Sequence, residues 1–322
     1  MNIISRSLFL IALLCCNYLF AQKTLIYSDP YRSYKNAQEL FDKEKYSSAQ
    51  FYFKDIINKI NNPQDEIRIN SEYYFALCAL KLYHRNVETI LTRFALDHPD
   101  HPKSKNIYFQ LGKHYYQTKK FKKSIEFFEK VDQYDLSISD QNEYLFKLGY
   151  SKFMKKNLAE SKVLFNELLQ RTTDYEVPAT YYYSHIAYSE EKYQTALQGF
   201  RKISNNKMFK PIIPYYITQI LYQQNKYDEL ISYAPNYLDS ITQKRKGEFA
   251  KLIADSYFKK NQFKTSLSFY KIFKKHAKSD RESNYQVAFC YYKTNDLRKA
   301  VELFASCLLY TSDAADEHSW GV

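Results

Sequence analysis

Residues 111–131 read LGKHYYQTKKFKKSIEFFEKV, and the order of small and aromatic residues in them decides the fold. Leu111 and Tyr115 stand one helical turn apart, as do Phe121, Ser124, Phe128 and Val131, so each half carries one apolar stripe at helical period. Two antiparallel helices sharing a short turn satisfy both stripes. A large side chain at the closest crossing would hold the helices apart, so Gly112 is predicted to face Ser124 while the aromatics fill the space above.

The pattern recurs along the chain. Its small first-helix sites fall at Ala37, Cys78, Gly112, Gly149, Ser184, Thr218, Ala254 and Ala288, about 34 to 41 residues apart. The matching aromatic sites on the second helices are Phe53, Phe94, Phe128, Phe165, Phe200, Tyr270 and Phe304. The sixth unit departs from this, with Ala234 at its aromatic site and Pro235 next, so a shortened or kinked helix and weaker apolar packing are predicted there. Prolines at Pro99, Pro102, Pro178 and Pro211 are read as punctuation between units.

These anchors resemble the tetratricopeptide repeat, a helix-turn-helix unit of roughly 34 residues. The resemblance covers residues 33–307 and implies an all-α fold, a right-handed superhelical solenoid of about eight repeats. It implies an adaptor for protein or peptide partners rather than an enzyme. The chain is similar in style to exported repeat proteins of Bacteroidetes, to the repeat lipoprotein of the outer-membrane assembly machine and to the Tol-Pal-associated division coordinator. Two features depart from these. Leu14 and Cys15 precede Cys16 without a lipoprotein motif, and the tryptophan common at the first-helix site is missing.

The ends read differently from the repeats. Arg6 before the apolar run Leu8 to Phe20, followed by Ala21, reads as a signal peptide over 1–21, with a linker over 22–32. That run is shorter than the roughly 20 residues that span a bilayer, so no transmembrane segment is expected after cleavage. The expected location is the periplasm or cell envelope. Residues 308–322 resemble read-through of a sequencing adapter. They are read as a non-native tail that continues no helix, and the array as truncated before its cap.

With 45% hydrophobic and 18% aromatic residues, the chain is too apolar for disorder. The formal charge of +12 becomes more positive without Arg6 of the leader and Asp313, Asp316 and Glu317 of the tail. This field favours an acidic partner. Nucleic acid is not expected for an exported chain, and the cluster Lys119, Lys120, Lys122 and Lys123 is read as a solvated turn. Cys78 and Cys290 read as small buried residues too far apart in an array to bond.

DHPDHP, residues 97–102, offers His98 and His101 beside Asp97 and Asp100, which are metal-ligand types, but reads as an inter-repeat turn. No phosphate loop, nucleophile elbow or zinc helix is present, so no cofactor, metal or catalysis is expected. The resemblance points instead to the first-helix face, where residues three before and four after each small site line the concave surface. Phe109, Tyr116, Phe146, Phe153, Tyr181, Tyr188, Tyr215 and Tyr222 stand there, with Lys113, His185 and Gln219 between the rings. These eleven are the expected binding residues for an extended peptide or a cell-wall glycan, with packing between neighbouring first helices as the competing role.

Overall fold

The computed structural model describes residues 29–316, with side chains described to residue 307. The expected signal peptide and the side chains of the expected tail lie outside the described residues. Sixteen α-helices and two short 3-10 turns make up the described chain, with no strand among them. They pair into eight hairpins. These are α1 (Pro30–Asp42) with α2 (Tyr46–Lys59), α3 (Glu66–Lys81) with α4 (Val87–Asp97), and α5 (Pro102–Gln117) with α6 (Phe121–Phe128). Next come α7 (Ile138–Met154) with α8 (Leu158–Leu168), and α9 (Glu176–Ser189) with α10 (Tyr193–Lys202). The last are α11 (Ile213–Gln223) with α12 (Tyr227–Tyr233), α13 (Gln243–Lys259) with α14 (Phe263–His276), and α15 (Arg281–Lys293) with α16 (Leu297–Asp316). The chain divides into two units, Met1–Ser161 and Lys162–Val322. Within each, first helices also touch the next first helix, as α1 touches α3, α5 touches α7 and α11 touches α13.

One closure ends every first helix. A residue with φ between 55° and 65° follows it: Glu44, Tyr83, Lys119, Lys156, Glu191, Asn225, Asn261 and Asn295. The next N–H then reaches back five residues, as Lys120 N–H does to the Tyr115 carbonyl at 2.8 Å and Gln262 N–H to Tyr257 at 2.9 Å. This satisfies carbonyls that the helix end would otherwise leave unbonded. The left-handed residue stands seven positions after the small site in every hairpin but the second.

That exception corrects the register. Tyr83 is seven residues after Ala76, which is buried, and not after Cys78. Cys78 instead packs with Ala37, Ala49 and Phe53 of the preceding hairpin. It takes the place of Ser151, whose hydroxyl lies 3.2 Å from that of Ser124, and of Cys290, whose sulfur lies 3.7 Å from the Ser266 hydroxyl. The physical cause is a longer turn before Val87, which moves α4 relative to the template. Cys78, Cys290 and Cys307 are free thiols.

The crossing itself is tighter than the sequence suggests. The Ser124 hydroxyl donates to the Gly112 carbonyl at 2.9 Å, Ser161 to Gly149 at 2.8 Å and Ser266 to Ala254 at 2.8 Å. A Cβ on Gly112 would stand 2.5 Å from the Phe128 ring, so glycine there makes room for the aromatic. In the fifth hairpin the vacancy is on the other helix. A Cβ on Gly199 would meet the Ser184 hydroxyl oxygen at 1.9 Å.

Other expectations change. Pro102 opens α5 at its first position, where the missing N–H costs nothing, instead of closing a repeat. Pro178 lies in the first turn of α9. Helix α1 begins at Pro30, so the expected linker 22–32 gives its end to the array. Helix α16 runs to Asp316, so the tail does continue a helix, since residues 308–316 contain two alanines and neither glycine nor proline. The shortened second helix of the sixth hairpin is present, α12 passing into a 3-10 turn at Ala234–Tyr237. Weak packing is not. Ala234 is wholly buried in a cluster with Phe200, Tyr216, Leu230 and Ile241, against which Tyr233 and Tyr237 pack.

Candidate functional site

In the third and fourth hairpins the residues three before the small sites are core. Phe109 is wholly buried, with its ring 6.1 Å from Phe128, and Phe146 is buried and stacks on Tyr150 at 6.3 Å. Neither offers surface to a ligand. Tyr116 and Phe153 are half-buried near the turn. The Tyr116 ring meets Phe121 at 6.3 Å and Tyr150 at 5.5 Å, both edge-on, a geometry that the ring quadrupoles favour.

Charge overlies these rings. Lys113 Nζ lies 4.8 Å above Phe109 and 2.6 Å from Glu143 Oε2, and Lys147 also binds Glu143 while standing 5.3 Å from the Tyr116 ring centre. Burial pushes the Glu143 carboxyl up, but hydrogen bonds from Lys113 and Lys147 outweigh it and hold the group below its ordinary value. This part of the face is a carboxylate clasped by two ammonium groups above aromatic rings.

The second unit carries the denser arrangement. Tyr181 is stacked on Phe209 at 4.4 Å, while Tyr188 meets Tyr193 at 6.1 Å and Tyr216 at 5.5 Å. The Tyr188 hydroxyl donates to Gln219 Oε1 at 2.9 Å, Gln219 Nε2 donates to the Tyr215 hydroxyl at 2.8 Å, and that hydroxyl donates to Glu248 Oε2 at 2.5 Å. The Arg245 guanidinium covers Tyr215 at 4.9 Å and Tyr216 at 5.2 Å. Tyr215 is buried, whereas Tyr181, His185, Tyr188, Gln219 and Tyr222 are half-buried.

Burial pushes the Tyr181, Tyr188 and Tyr215 hydroxyls up and that of Tyr222 up to about 12, so all four stay protonated donors. Burial and then Arg245 push His185 down, favouring the neutral ring. The arrangement can therefore present flat rings and oriented dipoles, without a nucleophile or a poised base. A search for rings alone misses Glu143, Lys147, Arg245 and Glu248. Glu143 and Lys147, one turn apart on α7, were legible as a pair.

The histidine turn is fully employed. His98 Nε2 lies 2.7 Å from Glu72, which Arg68 also binds at 3.0 Å, and His101 accepts the Lys103 N–H as the cap of α5. Among the described residues no group of three His, Cys, Asp or Glu side chains is placed to hold a metal. None of the described helices is long and apolar enough to cross a membrane.

The chain matches no protein-family model and no curated protein. Among solved structures it is similar to a tetratricopeptide repeat protein from Parabacteroides merdae, at 11% identity and a TM-score of 0.45 over 80% of this chain and 99% of that one. PilF of Pseudomonas aeruginosa is 15% identical, with a TM-score of 0.46 over 66% of this chain and 97% of its own. The C-terminal part of a repeat-containing protein from Cytophaga hutchinsonii is 14% identical, with a TM-score of 0.45 over 88% and 96%. The assignment of an all-α helical-repeat fold rests on the hairpin register itself: eight turns of one geometry, each following a buried small residue.

Proposed function

We propose that the chain is a non-catalytic interaction scaffold of the cell envelope that binds an extended peptide segment of a partner protein. One observation carries the reading. In the second unit Tyr188, Gln219, Tyr215 and Glu248 form a directed hydrogen-bonded chain that ties the half-buried Tyr188 ring to the buried Tyr215 ring of the next first helix and fixes both in orientation. Rings fixed before binding lose little side-chain entropy on contact, and tyrosine suits a surface that is apolar yet wet. The envelope location rests on the leader pattern of residues 1–21.

The test is a photo-crosslinking amino acid at Tyr222, compared with one at Phe51, which lies on a second helix and is 71% exposed. In cells, crosslinks to a protein from position 222 and not from 51 are expected. Tyr188→Leu with Tyr222→Leu keeps apolar volume but removes the flat rings, and should abolish that crosslink while the thermal midpoint falls only slightly. Crosslinks equal at both positions contradict the reading. Retention of cell-wall polysaccharide by the wild type and not by the variant replaces the peptide with a glycan.

A further inference from the structure

The first unit is charged unequally along its two edges. On the edge of inter-hairpin loops Lys59, Lys105 and Lys130 are each paired with a carboxylate, whereas of the turns within hairpins the first mixes Asp42 and Glu44 with Lys43 and Lys45 and those of the third and fourth are cationic. On that second edge Lys119, Lys120 and Lys122 of the third hairpin and Lys155 and Lys156 of the fourth are exposed. Among the described residues none of the five is ion-paired, whereas neighbouring Lys123 binds Glu88 at 2.7 Å and buried Lys152 binds Glu129.

Two observations set this edge apart from an ordinary solvated surface. Lys119 and Lys156 hold the left-handed turn position, with φ of 58° and 62°, where hairpins six to eight place Asn225, Asn261 and Asn295. Asparagine adopts this conformation more readily than lysine, glutamate or tyrosine, and Glu44, Tyr83 and Glu191 hold it in the first, second and fifth hairpins. In addition, Tyr83, 67% exposed, and Met154, 45% exposed, flank the lysines on the same edge.

We propose that this turn edge of the first unit docks on an anionic lipid surface. The five lysines stand in the turns of two successive hairpins, the third and the fourth. Lysines at headgroup level with a tyrosine and a thioether beside them are the composition of an interfacial contact. This surface is separate from the ring face of the second unit and does not depend on it.

The test is co-sedimentation of the full chain with vesicles of phosphatidylcholine alone and of phosphatidylcholine with phosphatidylglycerol. Binding to the anionic vesicles only is expected, and it should weaken at least about tenfold when salt shortens the Debye length from ~10 Å to ~3 Å. Lys119→Asn with Lys156→Asn should leave the thermal midpoint unchanged or raised, yet weaken binding about tenfold or more. A structural role alone would not move stability and binding in opposite directions. Reversing Lys207, Lys210, Lys244 and Lys275 of the second unit to glutamate, which changes net charge more, should leave vesicle binding within about twofold. The proposal is overturned if the asparagine variant binds as wild type. Equal loss from the second-unit variant overturns it, as does capture of duplex DNA or an acidic peptide in preference to the vesicles.

Discussion

The third and sixth hairpins both stop their second helices early, α6 after eight residues and α12 after seven, yet they fill their crossings in opposite ways. In the third, the small site is Gly112 and the facing large site is Phe128, whose ring occupies the space a Cβ would need. In the sixth, the small site has grown to Thr218 and the large site has shrunk to Ala234, both wholly buried. Ala234 shares its cluster with Tyr216, Leu230 and Ile241, and the Tyr233 and Tyr237 rings, 4.7 Å apart, pack against it. The two sites are thus one packing unit. What one side chain gives up, another takes, and an aromatic missing from a repeat motif is not by itself a weak point.

The largest effect that separates the two hairpins is expected from truncation. Phe128→Ala should cost about 3–5 kcal/mol by denaturant unfolding, whereas Ala234→Gly should cost only about 1 kcal/mol. Equal losses would erase the distinction.

The position after the small site sharpens it further. Lys113 there is half-exposed and paired with Glu143, but Asp255 of the seventh hairpin is only 6% exposed and accepts from the Tyr270 hydroxyl beside Gln286. Burial pushes the Asp255 carboxyl up to about 6 from 3.8, so the folded state holds its proton more tightly than the unfolded chain. Its contribution to stability is therefore greatest below the unfolded value. It declines as pH rises to about 6 and is constant above. Asp255→Asn should raise stability at pH 7 by up to about 3 kcal/mol, with the gain vanishing in acid. A gain independent of pH would rule out the buried charge as its source.

The smallest expected effect is a gain. Thr218 Oγ1 is buried without a hydrogen-bond partner among the described residues. Thr218→Val keeps the shape and removes the unpaired hydroxyl, so the thermal midpoint should rise by the equivalent of about 1 kcal/mol. A fall would mean that the hydroxyl has a water partner.

The helices and their register were legible because glycine, serine and alanine recur beside aromatics at one period, a pattern that survives changes in any single residue. Cys78 misled because it is small and apolar two places from Ala76, and only the left-handed turn at Tyr83 tells the two apart. The candidate site was less legible. Aromatics three places before and four places after a small site look alike in the sequence, but their exposure depends on what the fold lays over them. Phe109 and Tyr215 are covered, while Tyr116 and Tyr222 remain half open. Glu143, Arg245 and Glu248 lie outside any ring pattern and declare themselves only through partners brought close by the fold.

The claim beneath both hairpins is that small site and large site are coupled, and a double-mutant cycle on Gly112 and Phe128 tests it most directly. Gly112→Ala alone should destabilise by about 1–3 kcal/mol, because its Cβ enters the Phe128 ring. In the Phe128→Leu background the same change should cost far less, giving a coupling energy of about 1–3 kcal/mol. Additive effects, equal within about 0.5 kcal/mol in both backgrounds, would show that the two residues do not meet and that the hairpin register is wrong.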